Sequence, residues 1–152
     1  MPLADPDTDT QASGPAAGSL AVAGWMRSRG FEPFDYQRET WAAHLAGGSG
    51  LVHAPTGMGK TYAVWLGPVE QALQRGDAEL PAGQAAPIRA LWVTPLRALA
   101  HDTRDNLARP VEDLGLNWSV ELRTGDTSST VKARQRRRLP SALVTTPESL
   151  TI

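Results

Sequence analysis

Eight consecutive residues constrain this chain more than any others: Ala54-Pro55-Thr56-Gly57-Met58-Gly59-Lys60-Thr61. Small residues at these positions let successive backbone N–H groups turn toward one point, and a helix that begins there adds the positive end of its dipole. Such a loop holds a polyphosphate. Lys60 supplies a point charge for the β and γ phosphates, and the Thr61 hydroxyl falls one residue later, where it can coordinate the Mg²⁺ that bridges the same oxygens. Ala54 stands where a glycine is usual. The flanks suit the loop: Ser49-Gly50-Leu51-Val52-His53 reads as a short strand entering it, and Thr61-Tyr62-Ala63-Val64-Trp65-Leu66 as the helix leaving it. A dinucleotide-binding dehydrogenase is disfavoured, because Gly-x-Gly-x-x-Gly is lacking and Lys60-Thr61 is present.

The 152 residues suffice for one ordinary domain or part of one, and 41% hydrophobic content is enough to bury a core. A net charge of -1 gives no global basic field, but residues 123–138 carry Arg123, Lys132, Arg134, Arg136, Arg137 and Arg138 against the single acid Asp126. The absence of cysteine removes disulfides and thiolate metal sites. His44, His53 and His101 have no ligand spacing and read as ordinary residues. Residues 1–20 are expected to be a disordered tail, since residues 1–19 hold three Asp, no Lys or Arg, and many Pro, Gly, Ala, Ser and Thr. No secretory signal and no run of eighteen apolar residues is present, so a cytosolic (cytoplasmic) protein without a membrane segment is expected.

From Leu20 onward the pattern alternates helix and strand, the reading of an α/β fold with a parallel sheet flanked by helices. Asp35 is expected to cap a helix that runs to about Ala46 and ends at Gly47-Gly48. Pro68 should kink or break the loop helix, and residues 76–87 read as a surface loop. Strands are expected at residues 89–94, 118–123 and 142–145, a helix at 96–106 and the start of another at Pro147. Each of these strands ends in a short polar motif: Thr94-Pro95-Leu96-Arg97-Ala98-Leu99-Ala100, Arg123-Thr124-Gly125-Asp126-Thr127 and Thr145-Thr146-Pro147-Glu148-Ser149-Leu150. Ligands of open α/β sheets bind beyond the carboxyl ends of strands, and these motifs carry the N–H groups, hydroxyls and Arg that grip a phosphodiester backbone without reading bases.

With these residues in place the chain resembles the superfamily 2 helicases. The loop 54–61, the segment Thr94 to Ala100, Thr124-Gly125-Asp126 and Thr145-Thr146-Pro147-Glu148 look like motifs I, Ia, Ic and Ib, and Gly30-Phe31-Glu32-Pro33-Phe34-Asp35-Tyr36-Gln37 resembles the Q motif. The wording Phe34-Asp35-Tyr36-Gln37-Arg38-Glu39-Thr40-Trp41, with the Thr94 and Arg123 segments, is most similar to the Lhr-like, ligase-associated DExH-box DNA helicases. The resemblance covers about residues 24–152. It implies a RecA-like domain that uses ATP and Mg²⁺ and acts on DNA in repair, with a ligase or nuclease among the partners.

What the resemblance implies for single residues is specific. Gln37 would read the adenine edge, while Phe31 or Phe34 would stack near the base or, more simply, anchor the core. Ala54, Thr56, Gly57, Met58, Gly59, Lys60 and Thr61 would hold the phosphates and metal. Pro95, Arg97, Thr124, Gly125, Thr146 and Pro147 would lie along the nucleic-acid track. The basic run 132–138 reads as a solvated helix face or as a rim contact to phosphates. Three features of the family are not found in these 152 residues: the acidic Asp-Glu-x-His motif, the Ser-Ala-Thr motif and the second RecA-like domain. Residues 21–152 therefore read as an incomplete N-terminal part of an ATP-binding domain, expected to be inactive alone. A nucleotide-binding module without catalysis and an RNA-remodelling ATPase of the DEAD-box kind remain the alternatives, because backbone-gripping motifs do not distinguish RNA from DNA.

Overall fold

The structure, a computed structural model, describes residues 20–77, 87–95 and 97–150. The tail at residues 1–19, the greater part of the loop expected at 76–87, and Leu96 lie outside the described residues. Leu20, assigned to the tail by composition, is buried in the core and precedes α1 (Ala21–Ser28). The order continues α2 (Asp35–Leu45), α3 (Lys60–Gln74), β1 (Ala90–Val93), α4 (Arg97–Asp113), β2 (Val120–Arg123), α5 (Ser129–Arg137), β3 (Ala142–Thr145) and α6 (Pro147–Leu150).

The three strands pair in parallel in the order β1-β3-β2, with Ala90 and Val120 both opposite Ala142. Side chains alternate across a strand, so this register sets Ala90, Trp92, Ala142, Val144, Val120 and Leu122 on one face. All six belong to or pack against a core shared with Trp25 of α1, Trp65 and Leu66 of α3, and Leu107 and Val111 of α4. Trp65 is the hinge of that core. Its ring meets Trp92 and Trp118 edge-on at centroid distances of 6.3 and 6.1 Å, and its Nε1 donates to the Leu107 carbonyl at 2.9 Å. The other face of the sheet is covered beside β2 by α5, whose buried Gln135 donates to Glu121 at 2.9 Å and to the Leu122 carbonyl at 3.2 Å. Leu91 and Val93 on that face of β1 are exposed.

Several local expectations change. No strand forms at 49–53: the residues have no ladder partner among the described residues, and Leu51 is 95% exposed. Apolar content suggests a strand, but only pairing makes one. Asp35 does not cap α2; it is the helix's first residue and pairs with Arg38 at 3.0 Å, while Gln37 caps from inside by accepting from the Phe34 N–H at 2.9 Å. α3 runs through Pro68 without a break, with the neighbouring Gly67 packed against the His44 ring. α4 continues past Asn106 and through Pro110 to Asp113. A proline removes the N–H that would bond the carbonyl four residues earlier; here that carbonyl, of Asn106, accepts from the Tyr62 hydroxyl at 3.4 Å.

Candidate nucleotide and nucleic-acid site

The loop 54–61 turns through two glycines in left-handed conformation, Gly57 at φ 84° and Gly59 at φ 78°, the latter serving as the N-cap of α3. Side chains are strained at such angles, so both positions favour glycine. Three contacts hold the loop from outside or across its base. The Tyr36 hydroxyl donates to the Met58 carbonyl, Gln37 Nε2 donates to the Gly59 carbonyl at 3.0 Å, and Lys60 Nζ donates to the Ala54 carbonyl at 2.6 Å. Burial raises the pKa of the Tyr36 hydroxyl above its ordinary value, which keeps it a donor. Thr56, Gly57 and Thr61 are exposed, and the N–H groups of the first turn of α3 have no earlier helical carbonyl to bond. An anion placed there meets the positive end of a fifteen-residue helix.

Beside the loop lies a pocket of about 370 Å³, within the range of small-molecule sites. Trp25, Met26, Phe31, Phe34 and Gln37 line it together with residues 57–59. Phe31 and Phe34 are 65% and 45% exposed, so they do not anchor the core; their apolar surface rims this pocket, and the Phe34 ring stacks on Tyr36 at 6.0 Å. Gln37 is 1% exposed. An amide carries two donors and two lone pairs, and Gln37 uses one of each inside the protein, on Gly59 and on Phe34. α1 is fixed to the pocket by Asp113, which accepts from Trp25 Nε1 at 2.8 Å and pairs with Arg29; the hydrogen bonds from Arg29 and then Trp25 hold its carboxyl below the usual carboxylate range. Tyr36, Trp25 and Arg29 were not singled out from sequence. Tyr36 stood beside Gln37, while nothing in the pattern of α1 announced its role.

At the carboxyl ends of the strands a second group converges. The guanidinium of Arg97, at the start of α4, lies 3.1 Å from where a Cβ on Gly125 would sit, so it packs flat on that turn. Glu148 is held below the usual carboxylate range by its own backbone N–H, by the Thr146 side chain and by the charge of Arg97. The structure thus gathers Arg97 and Gly125 with the segment of Thr146 and Glu148. Thr124 and Thr146 are buried, and their local bonds shape the turns: the Thr124 N–H donates to Thr127 Oγ1 at 2.9 Å, and Thr146 Oγ1 donates to Ser149 Oγ at 3.2 Å. Pro95, Arg97, Gly125 and Pro147 supply the exposed surface. Among the described residues no group of three acidic or histidine ligands comes together, and no helix is long and apolar enough to cross a membrane.

A parallel sheet with a glycine loop capping one helix, and a polar edge at its strand ends, is the arrangement this chain shares with helicase domains of RecA-like fold. The sequence profile of the DEAD/DEAH box helicases matches residues 34–152, and the chain belongs to that family. It is 32% identical over 143 residues to the Lhr helicase/uracil glycosylase of Escherichia coli, covering 87% of this chain and 9% of that protein. It is 39% identical over 108 residues to the ATP-dependent helicase Lhr-Core of Sulfolobus acidocaldarius, covering 67% of this chain and 12% of that one. Among solved structures, Mycobacterium smegmatis Lhr bound to ssDNA and AMP-PNP matches with TM-score 0.60 and 31% identity over 86% of this chain and 17% of that one. The DUF1998 helicase MrfA bound to DNA and AMPPNP shares the fold, with TM-score 0.72 at 22% identity over 90% of this chain and 18% of that one. This chain therefore spans about a tenth to a sixth of the length of such relatives, and it is a helicase domain segment related to the Lhr helicases.

Proposed function

We propose that the chain is the ATP-binding portion of an ATP-dependent DNA helicase. The observation that carries this reading is the adjacency of a base-sized apolar pocket to an exposed phosphate loop that caps α3, the two sharing Gly57, Met58 and Gly59. The base would enter between Phe31, Phe34 and Trp25, with the unused N–H and lone pair of Gln37 meeting its edge. Thr56, Gly57, Met58 and Gly59 would receive the phosphates on backbone N–H groups. Lys60 would exchange the Ala54 carbonyl for the β and γ phosphates, and the exposed Thr61 hydroxyl would coordinate Mg²⁺.

Arg97, Gly125, Pro95 and Pro147 would carry a DNA strand across the sheet edge, with Thr124 and Thr146 holding the turns in shape. The Lhr helicase of Mycobacterium smegmatis, solved with ssDNA bound, favours DNA over RNA, and the pairing of helicase with uracil glycosylase in the name of the Escherichia coli relative favours a role in DNA repair; a cytoplasmic location and a ligase or nuclease partner complete the proposal. The isolated chain is expected to bind ATP without DNA-stimulated turnover, which phosphate release with and without single-stranded DNA would check against a Lys60→Ala control. Titration with a fluorescent ATP analogue tests the reading: Lys60→Ala should abolish measurable affinity while the fold survives, since that side chain makes one loop hydrogen bond and is absent from the core. Equal affinity in the variant would refute the phosphate-loop assignment.

A further inference from the structure

α5 contributes one buried side chain, Gln135, to the molecule, yet it is the most basic element of a chain whose net charge is -1. Lys132, Arg134, Arg136, Arg137 and Arg138 fall within seven positions containing no acid. Lys132 and Arg134 have counterparts that orient them. Lys132 Nζ donates to the Gly125 carbonyl at 3.0 Å, which ties the first turns of α5 to the edge where Arg97 packs on Gly125. Arg134 pairs with Glu121 of β2 at 2.8 Å. Arg136 and Arg137 make no ion pair among the described residues. Two positions turn a helix by about 200°, so Arg137 projects opposite the buried Gln135, and Arg136 flanks it. A shallow groove beside it is lined by Ser129, Thr130, Ala133, Arg134, Arg137 and Arg138, hydroxyls at the start of the helix and guanidinium groups at its end.

Basic residues in the last turn also complement the helix dipole, but that role ends within one turn and does not account for a run that starts at Lys132, bonded to the Gly125 turn. We propose that the exposed face of α5, with Arg137 at its centre and Arg136 beside it, is a second contact surface for the sugar–phosphate backbone of a nucleic acid, continuing from the Arg97–Gly125 edge down the flank of β2. Charge complementarity and continuity with that edge select the partner: guanidinium groups and hydroxyls on a helix grip phosphates without reading bases. The inference rests on the reading that the strand-end edge carries nucleic acid.

The test is binding of labelled oligothymidylate to the chain, measured by anisotropy between about 50 and 200 mM salt, for wild type, Arg97→Ala, and the double variant Arg136→Gln/Arg137→Gln. Glutamine keeps the helix propensity of arginine, and thermal unfolding together with ATP-analogue affinity reports whether the fold is kept. The double variant should bind about tenfold more weakly at the lowest salt, with a log–log salt slope shallower by about 1.4, two single-strand phosphate contacts at about 0.7 each. Arg136→Lys/Arg137→Lys should restore most of the affinity, because a lysine also neutralises a phosphate. A double variant with wild-type affinity and slope, while Arg97→Ala is impaired, overturns the inference and leaves the edge reading standing. A wild type that binds no oligonucleotide overturns both. Competition by poly-glutamate that is lost in the double variant, with oligonucleotide binding unchanged, would assign the surface to an acidic protein partner and overturn the inference as well.

Discussion

Removing the Gln37 amide should damage two things at once, because that side chain is tied to both the start of α2 and the end of the phosphate loop. In Gln37→Ala the Phe34 N–H loses its acceptor at 2.9 Å and the Gly59 carbonyl its donor at 3.0 Å. A lost helix cap costs about 1 kcal/mol, and a second hydrogen bond about 1 kcal/mol. The side chain is 1% exposed, so the space it leaves adds up to about 1–2 kcal/mol more. The total, about 3 kcal/mol, corresponds to a fall in Tm of roughly 10 °C for a domain of this size. Gly59→Ala attacks the same contact from the other side, since its Cβ would sit 2.7 Å from Gln37 Nε2 at φ 78°. Gln37→Glu keeps an acceptor for Phe34 but turns a carboxylate oxygen toward the Gly59 carbonyl, so it should lose the loop half alone. Differential scanning fluorimetry measures the stability, and titration with fluorescent ATP and GTP analogues measures whether the amide reads the base. ATP affinity should fall about tenfold and its advantage over GTP should shrink. A Gln37→Ala protein with unchanged Tm and an unchanged ATP-to-GTP ratio would show that the amide neither braces the loop nor meets the base.

Trp65→Phe keeps a ring against Trp92 and Trp118 but leaves the Leu107 carbonyl without its 2.9 Å donor; urea denaturation should show a loss of about 2 kcal/mol, and a loss near zero would mean that the contact is worth nothing. The Asp113 carboxyl is depressed by Arg29 and then Trp25, so its stabilisation is complete above the usual carboxylate range and fades as pH falls through the lowered value. Asp113→Asn should therefore be less stable than wild type at neutral pH, with the difference closing in acid, as urea midpoints at the two pH values would show; a constant difference would refute the ionic account.

How much could be read from sequence depended on the range of the interaction concerned. The left-handed turn of the 54–61 loop, the parallel α/β pattern, the β3 span at 142–145 and the polar strand ends follow from local chemistry: glycines that permit positive φ, short β-branched and aliphatic runs, and Thr-Pro pairs at helix starts. Matters of pairing and packing lay beyond that reach. Residues 49–53 have a strand's composition but no ladder partner among the described residues. The helix expected at 96–106 runs on through Pro110 to Asp113, where Tyr62 from a distant helix supplies a donor to the carbonyl that the proline leaves unbonded. Phe31 and Phe34 carry the hydrophobicity of core residues, but the packing of α1 against α3 and Asp113 sets them at the rim of the pocket. Gln37 was marked in the sequence as a reader of the base; only the tertiary structure joins it to Gly59, because that hydrogen bond spans twenty-two positions and exists only once α2 is packed on α3. By itself the sequence determined the local turn of the 54–61 loop, since left-handed glycines at a helix start are encoded within a single turn; which side chains of the candidate site stand exposed and which are held by internal bonds was decided by contacts between elements far apart in the chain.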